Sequence, residues 1–314
     1  MNLVSLIEPI NVLEEKKHFF SDHTYNPQLQ YSSDVSQLPL QKWGLPQKKF
    51  YNFAYELLRK KGSLRIHRKK FANEYITEKC RSLLTEIGVK ESIYIAFDQH
   101  KVTRCSVSNE KITFRDPVEF SSEIEINQTL NHEIQTHFLR NLNQKKQQWT
   151  YDRDKVDHAL LRTEEGLAVL HSLLEAEDKE VIRPAAYYIA VYYAQQFSFA
   201  DVFEHLTQLG LDDDFSWRLC LRTKRGIEDT SFPGGNTKDV CYLEGVIQMA
   251  NWIRQTQNHV SDLYYGKIFI EELNDRLKTI KDYHIYMPSF LKNEEKYRNS
   301  IQAICDANHF ENIF

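Results

Sequence analysis

Between Ser92 and Arg115 the apolar residues change rhythm: "SIYIAF", "TRCSVS" and "KITFR" alternate, whereas on both sides apolar residues recur every three or four places. Alternation puts one face of a strand against a core, and the longer spacing does the same for one stripe of a helix. A chain with one alternating stretch set among helical ones is confined to an α+β architecture, predominantly helical, with one small sheet. Asn109 and Glu110 fall between the second and third runs and read as a turn, so a small antiparallel sheet is expected. The helical runs "PQKKFYNFAYELLRKKG" and "HRKKFANEYITEKCRSLLTEIG" each end on a glycine, which closes a helix without steric cost. Ahead of them, a helix near residues 2 to 19 and the turn-rich "SDHTYNPQLQYSSDVSQLPL" read as a wrapping segment. After the sheet, Ser122 and Glu125 resemble a capping box that opens a long helix. From about residue 155 onward the chain reads as helices with short connections, apart from the loop "TSFPGGNTKD".

The long helix carries "NHEIQTHFLR", in which Glu133 follows His132 and His137 comes five residues after His132. Histidines four apart leave one face of a helix and can share a zinc ion, with the adjacent glutamate as base. Five apart, they differ by about 140° on a regular α-helix. Either the two rings face different sides, or the turn around Gln135 and Thr136 is widened in the manner of a π-bulge. A catalytic zinc also needs a third protein ligand, often a glutamate from a second helix. "LRTEEGLAVLHSLLEAE" reads as such a helix, with Thr163 as N-cap and Glu164 and Glu165 in its first turn. Glu165 is the candidate third ligand; equally, two glutamates in a first turn complement the helix dipole, and spacing alone leaves both readings open.

Composition narrows the function classes. Apolar residues are 41%, charged residues 27%, and Gly (10) and Pro (8) are scarce, as in a globular protein without long disordered tails. A net charge of −4 implies no nucleic-acid partner. The Lys-rich stretches near residues 47–49, 59–70 and 143–148 read as solvated helix ends. Five cysteines, odd in number and without a C-x-x-C pair, point to reduced thiols in a cytoplasmic setting. The N-terminus has no basic region before its apolar positions, and no apolar run is long enough to span a bilayer, so neither signal peptide nor membrane anchor is expected.

Taken in order, "HEIQTH", "EEGLA", "RGIEDT", "GGNTKDVCYLEG" and "LYYGKI" resemble the tyrosine carboxypeptidase family. That family includes the microtubule-associated tyrosine carboxypeptidases of animals and bacterial proteins known by a Q-E-G-L-A motif, and the resemblance runs from about Asn26 to the C-terminal region. It implies one Zn²⁺ per chain, held by His132, His137 and Glu165, with Glu133 as the catalytic glutamate. It also implies a zincin-like catalytic helix beside the small sheet and a largely helical C-terminal half. Residues 61–314 are then the zinc metallopeptidase catalytic domain, and residues 1–60 the N-terminal wrapping segment and first helix. The chain departs from the family pattern at Glu164, where Gln is usual, and at Asn236, where an apolar residue is expected.

In such a site Glu133 takes a proton from water and passes it to the leaving amine. A carboxypeptidase must also hold a terminal carboxylate, which a guanidinium or ammonium does by charge-assisted hydrogen bonds. Arg222, Arg225 and Lys238 are the candidates, and Tyr242, four residues after Lys238 and so on one helical face with it, is the candidate oxyanion donor. His158, His171 and His205 read as structural, with His171 the one placed to orient a ligand from behind. The expected function is a zinc carboxypeptidase that removes a C-terminal residue, aromatic by the resemblance, from peptides or proteins. The alternatives are a zinc aminopeptidase or endopeptidase, and a metal-stabilised regulatory protein without turnover. Tubulin is a doubtful substrate, because a chain of net charge −4 is weakly drawn to an acidic polymer.

Overall fold

A computed structural model describes residues 6–63, 67–99, 101, 103–108, 110–149, 158–256, 260–281 and 284–313. The regular elements up to the motif are α1 (Val12–Ser21), α2 (Lys48–Lys61), β1 (Lys69–Lys70), α3 (Asn73–Ile87), β2 (Tyr94–Asp98), β3 (Cys105–Val107), β4 (Lys111–Arg115), β5 (Glu119–Phe120) and α4 (Glu123–Leu130). A π-helix, Asn131–Phe138, follows, and then α5 (Leu139–Gln144), α6 (His158–Ser172), α7 (Ile182–Ala194), α8 (Phe199–Gln208), α9 (Asp213–Lys224), α10 (Val240–Thr256), α11 (Leu273–Leu277) and α12 (Glu294–Asn308). The architecture is α+β and predominantly helical, as the periodicity predicts. Among the described residues no helix is long and apolar enough to cross a membrane. The chain divides into two compact units, one of Met1–Ile66 with Val181–Glu244 and one of His67–Glu180 with Gly245–Asn312.

In the first unit, Phe19 of α1 packs against Phe199, Phe203 and Trp217, with ring centroids 5.1, 4.8 and 5.2 Å away. The expected N-terminal helix is described as Val12–Ser21, beyond Pro9, which cannot donate within a helix; residues 1–5 lie outside the described residues. The turn-rich segment does wrap: Leu29 N–H bonds Glu228 O at 2.7 Å, and Thr237 N–H bonds Leu40 O at 2.9 Å. Helix α2 ends at Gly62 with φ 70°, as its glycine predicts. Lys224, fully buried at the end of α9, directs its three ammonium protons to the carbonyls of Ala194 (3.3 Å), Phe197 (2.6 Å) and Phe232 (2.7 Å). Ala194 is the last residue of α7, so the cation also sits at the negative end of that helix dipole.

The second unit carries the sheet and the motif helix. The sheet order is β2-β4-β3. Strands β3 and β4 form the expected antiparallel pair, with Cys105 opposite Phe114 and Val107 opposite Ile112. Strands β2 and β4 are parallel, however, with Tyr94 opposite Lys111, so the sheet is mixed and not wholly antiparallel. Periodicity fixes which face of a strand is buried but not its direction, and here the link from β2 passes the central position before the hairpin returns to fill it. Asn109 of the expected turn lies outside the described residues. Lys69 and Lys70 pair with Phe120 and Glu119, so the second amphipathic run begins its helix at Asn73 and ends it at the left-handed Gly88.

Ser122 caps α4 by accepting the Glu125 N–H, whereas the Glu125 carboxylate turns to Ser121 N–H (2.6 Å) and Arg104 (2.8 Å); half of the capping box forms. From there Ile126, Leu130, Ile134, Phe138 and Leu142, every fourth residue, are buried in one core with Cys105, Ile112 and Phe114 of the sheet. The sheet therefore packs beside the motif helix. Helix α6 is described from His158 and so carries Thr163 in its interior, not at its N-cap, and Glu164 and Glu165 stand six and seven residues beyond His158, out of reach of a simple dipole role. Residues 150–157, which lead into this helix in the sequence, lie outside the described residues. Replacing Lys224 by Met strands three carbonyls, and we expect a loss of about 2 kcal/mol in the urea unfolding free energy.

Candidate metal centre

The turn around Gln135 and Thr136 is widened, the alternative that lets both histidines share a metal, and the widening extends over the eight residues Asn131–Phe138. At its end Leu139 N–H reaches back five residues to Ile134 O. A turn of this width returns residues five apart to one side. His132 Nε2 and His137 Nε2 are 3.3 Å apart. Glu165, on α6, places Oε2 3.5 Å from His137 Nε2 and 3.9 Å from His132 Nε2.

These three ligand atoms lie within 4.8 Å of one another. Tetrahedral zinc with bonds of about 2.0–2.1 Å separates its donors by roughly 3.3 Å, so the spacing fits such an ion. Two imidazole nitrogens and a carboxylate oxygen that converge on one point repel one another unless a proton or a metal cation lies between them. The donor set is therefore one that a Zn²⁺ ion satisfies.

Behind the donors lies a charged cluster that the sequence reading did not anticipate. His137 Nδ1 is 2.9 Å from Glu164 Oε1; an ionised carboxylate only accepts, so the ring carries a proton on Nδ1 and presents Nε2 to the centre. Glu164, 4% exposed, also accepts from Arg140 and Lys267. Burial alone would raise its carboxyl pKa, but Arg140, Lys267 and His137 hold it well below the usual range. Arg140 is fully buried and donates further to Leu263 O (3.1 Å) and Ile268 O (2.6 Å). The block "LYYGKI" is thus fastened to the back of the motif helix. Arg140, three residues after His137, and Glu164, next to Glu165, were visible as neighbours of the motif, but nothing in their spacing says that they meet.

A family profile described as microtubule-associated tyrosine carboxypeptidase matches residues 27–312. The chain belongs to that family. Its relatives include the putative tyrosine carboxypeptidase MATCAP2 of Mus musculus, 30% identical over 98% of this chain and 62% of the relative. Microtubule-associated tyrosine carboxypeptidase 1 of Mus musculus is 28% identical over 97% of this chain and 68% of its own length. The same-named protein of Homo sapiens is 27% identical, with the same coverage. The chain spans about three fifths to two thirds of the length of these relatives.

Two glycines in the blocks that mark the tyrosine carboxypeptidase family meet each other. A Cβ on Gly166, which follows Glu165, would lie 2.2 Å from the Gly245 carbonyl carbon, and one on Gly245 would lie 2.3 Å from Arg162 O. Helices α6 and α10 cross here backbone to backbone, and that contact sets the depth at which Glu165 is held.

The remaining residues singled out in the sequence are placed as follows. Glu133 is half-buried on the π-helix, and its charge, added to burial, pushes the Cys105 thiol of β3 upward. Arg222, Arg225, Lys238 and Tyr242 belong to the first unit. Arg222 grips Asp239 with two bonds of 2.7 Å. Lys238 precedes α10, which begins at Val240, so it shares no helical face with Tyr242, although its ammonium stands 5.6 Å from that ring. Arg225 is 8% exposed, and its guanidinium makes one long hydrogen bond, 3.5 Å to Arg222 O, and no ion pair among the described residues. His205 stacks on Tyr193 at 4.4 Å.

Burial opposes a charge on His137, yet Glu164 and Glu165 raise its pKa from 6.5 to about 9 in the metal-free protein. A raised folded-state value stabilises the fold below pH 6.5, and that contribution is lost as pH climbs through 9. Chelator-treated protein should therefore melt at progressively lower temperature from pH 6.5 to 9. Zinc affinity should rise over the same window, because the metal displaces the proton; a melting temperature that is flat or rises without metal counts against this account. Replacing Gly166 or Gly245 by Ala should destabilise the protein by roughly 3 kcal/mol and lower its zinc content after dialysis, as overpacking pushes α6 away.

Proposed function

We propose that this chain is a zinc-dependent carboxypeptidase. The observation that carries the reading is the convergence of His132, His137 and Glu165 on one point, with Glu133 one residue from His132 on the same widened turn. The names of the relatives, tyrosine carboxypeptidases, support a C-terminal residue, and an aromatic one, as the group removed. Zinc held by the three donors would supply a Lewis acid for the scissile carbonyl and lower the pKa of a bound water toward roughly 7.

The chain's own residues do the rest. The Glu133 carboxylate removes a proton from the attacking water and delivers it to the departing amine. Glu164 keeps the His137 proton on Nδ1, so that Nε2 stays a donor to the metal. Arg225 is the proposed clamp for the terminal carboxylate, because a planar guanidinium suits a bidentate anion and this one, nearly buried, makes no ion pair among the described residues. Arg222, already gripped by Asp239, is assigned to shaping that clamp, with Lys238 adding charge and Tyr242 a hydroxyl for the oxyanion.

The proposed substrate is a peptide or protein C-terminus, and with a net charge of −4 we do not propose the microtubule as its carrier. All five cysteines are free and buried, which supports a reducing cytoplasmic setting. A peptide pair ending in free and amidated tyrosine tests the reading. Release of tyrosine from the free peptide alone is expected, with loss of at least about 100-fold in Glu133→Gln at unchanged zinc content. Equal cleavage of both peptides would make the protein an endopeptidase or aminopeptidase, and full activity in Glu133→Gln would remove the mechanism.

A further inference from the structure

His171 lies on α6, six residues beyond Glu165, fully buried and outside the proposed chemistry. Its Nδ1 is 2.8 Å from Thr136 Oγ1, and its Nε2 is 3.0 Å from the Tyr297 hydroxyl. Thr136 Oγ1 is also 2.8 Å from the carbonyl of Asn131.

These contacts set the direction of each hydrogen bond from Tyr297 through His171 and Thr136 to Asn131. A carbonyl only accepts, so the single Thr136 hydroxyl proton goes to Asn131 O. The Thr136 oxygen must then accept from His171 Nδ1–H. With its proton on Nδ1, His171 offers a lone pair at Nε2, and Tyr297 donates to it. Burial, together with the Arg140 guanidinium, holds the His171 pKa well below its ordinary value, consistent with this neutral tautomer.

The last bond in the chain distinguishes the two ways in which the motif could wind. In an α-helix a threonine hydroxyl reaches the carbonyl three or four residues back, which for Thr136 means Glu133 or His132. The bond to Asn131, five back, belongs to the widened turn. Neighbouring groups act on the same turn: Tyr264 donates to Gln135 O at 2.8 Å, Ser289 N–H to Gln135 Oε1 at 2.6 Å, and Gln135 Nε2 to Asn131 Oδ1 at 2.7 Å.

We propose that Tyr297, His171 and Thr136 form a positioning relay that selects the π register of Asn131–Phe138 and so keeps His132 and His137 aimed at one point. None of the three touches substrate or metal. Helix α6 then supplies the third donor, the group that orients His137, and the residue that sets the winding of the facing helix. The relay rests on the reading of His132, His137 and Glu165 as ligands, and zinc affinity, measured by competition with a chromophoric chelator, separates the two.

Wild-type protein that binds no zinc overturns the ligand reading, and the relay with it. If the wild type binds, Thr136→Val and His171→Phe should weaken zinc by about 10–100-fold, while Thr136→Ser, which keeps the hydroxyl, restores it. On the peptide substrate the loss should fall on kcat with KM little changed, a split that a general loss of packing would not produce. Wild-type affinity in folded Thr136→Val overturns the relay. Should that variant fail to fold, Tyr297→Phe removes only the outermost hydroxyl; a several-fold weaker zinc affinity supports the relay, and an unchanged one overturns it.

Discussion

The second unit is organised around one carboxylate. Glu164, almost without solvent, meets His137, Arg140 and Lys267 at once, and these groups come from the π-helix, from α5 and from the segment that follows Tyr265. Burying two cations is costly unless a carboxylate and backbone acceptors meet them, and removal of that carboxylate would leave both uncompensated. Arg140 is otherwise satisfied by two carbonyls, of Leu263 and Ile268, so the ion cluster is also what pins an irregular stretch of chain to the motif helix. The position at which the chain departs from the usual Gln is therefore the one that neutralises this cluster.

Much of this was legible beforehand where the signal is local. Glycine-ended helices and the antiparallel β3–β4 pair follow from spacing and turn chemistry, the family blocks came from resemblance, and the five-residue gap between the histidines called for a widened turn only if both rings were to share a metal. Longer-range facts were not legible. Strand direction in the sheet depends on how the link between β2 and β3 travels, which alternation does not record. Thr163 looked like an N-cap because threonine followed by two glutamates is what a helix start looks like, yet the helix is already under way at His158. The pairing of Arg140 and Lys267 with Glu164 joins residues more than twenty and one hundred positions apart.

One signal in the sequence was overlooked. Ile126, Leu130, Ile134, Phe138 and Leu142 recur at strict intervals of four, and on a straight α-helix such a row drifts by about 40° at each step. Four steps would carry Leu142 nearly to the far side. All five nevertheless face one core, which a mixture of α and π winding permits and α winding alone does not.

The widened turn also bears on how the motif relates to the commoner zinc helix. Strike out one residue between Glu133 and Thr136, and what remains is a regular α-helix: histidines four apart, and an apolar stripe at the usual mixture of threes and fours. An extra residue in a straight helix turns everything beyond it by about 100°. Here Phe138, Leu142 and Arg140 keep the faces that such a helix would give them, because the added residue is taken up as local girth and not as rotation. The two spacings are thus one insertion apart, and the surrounding core need not have been rebuilt to pass between them.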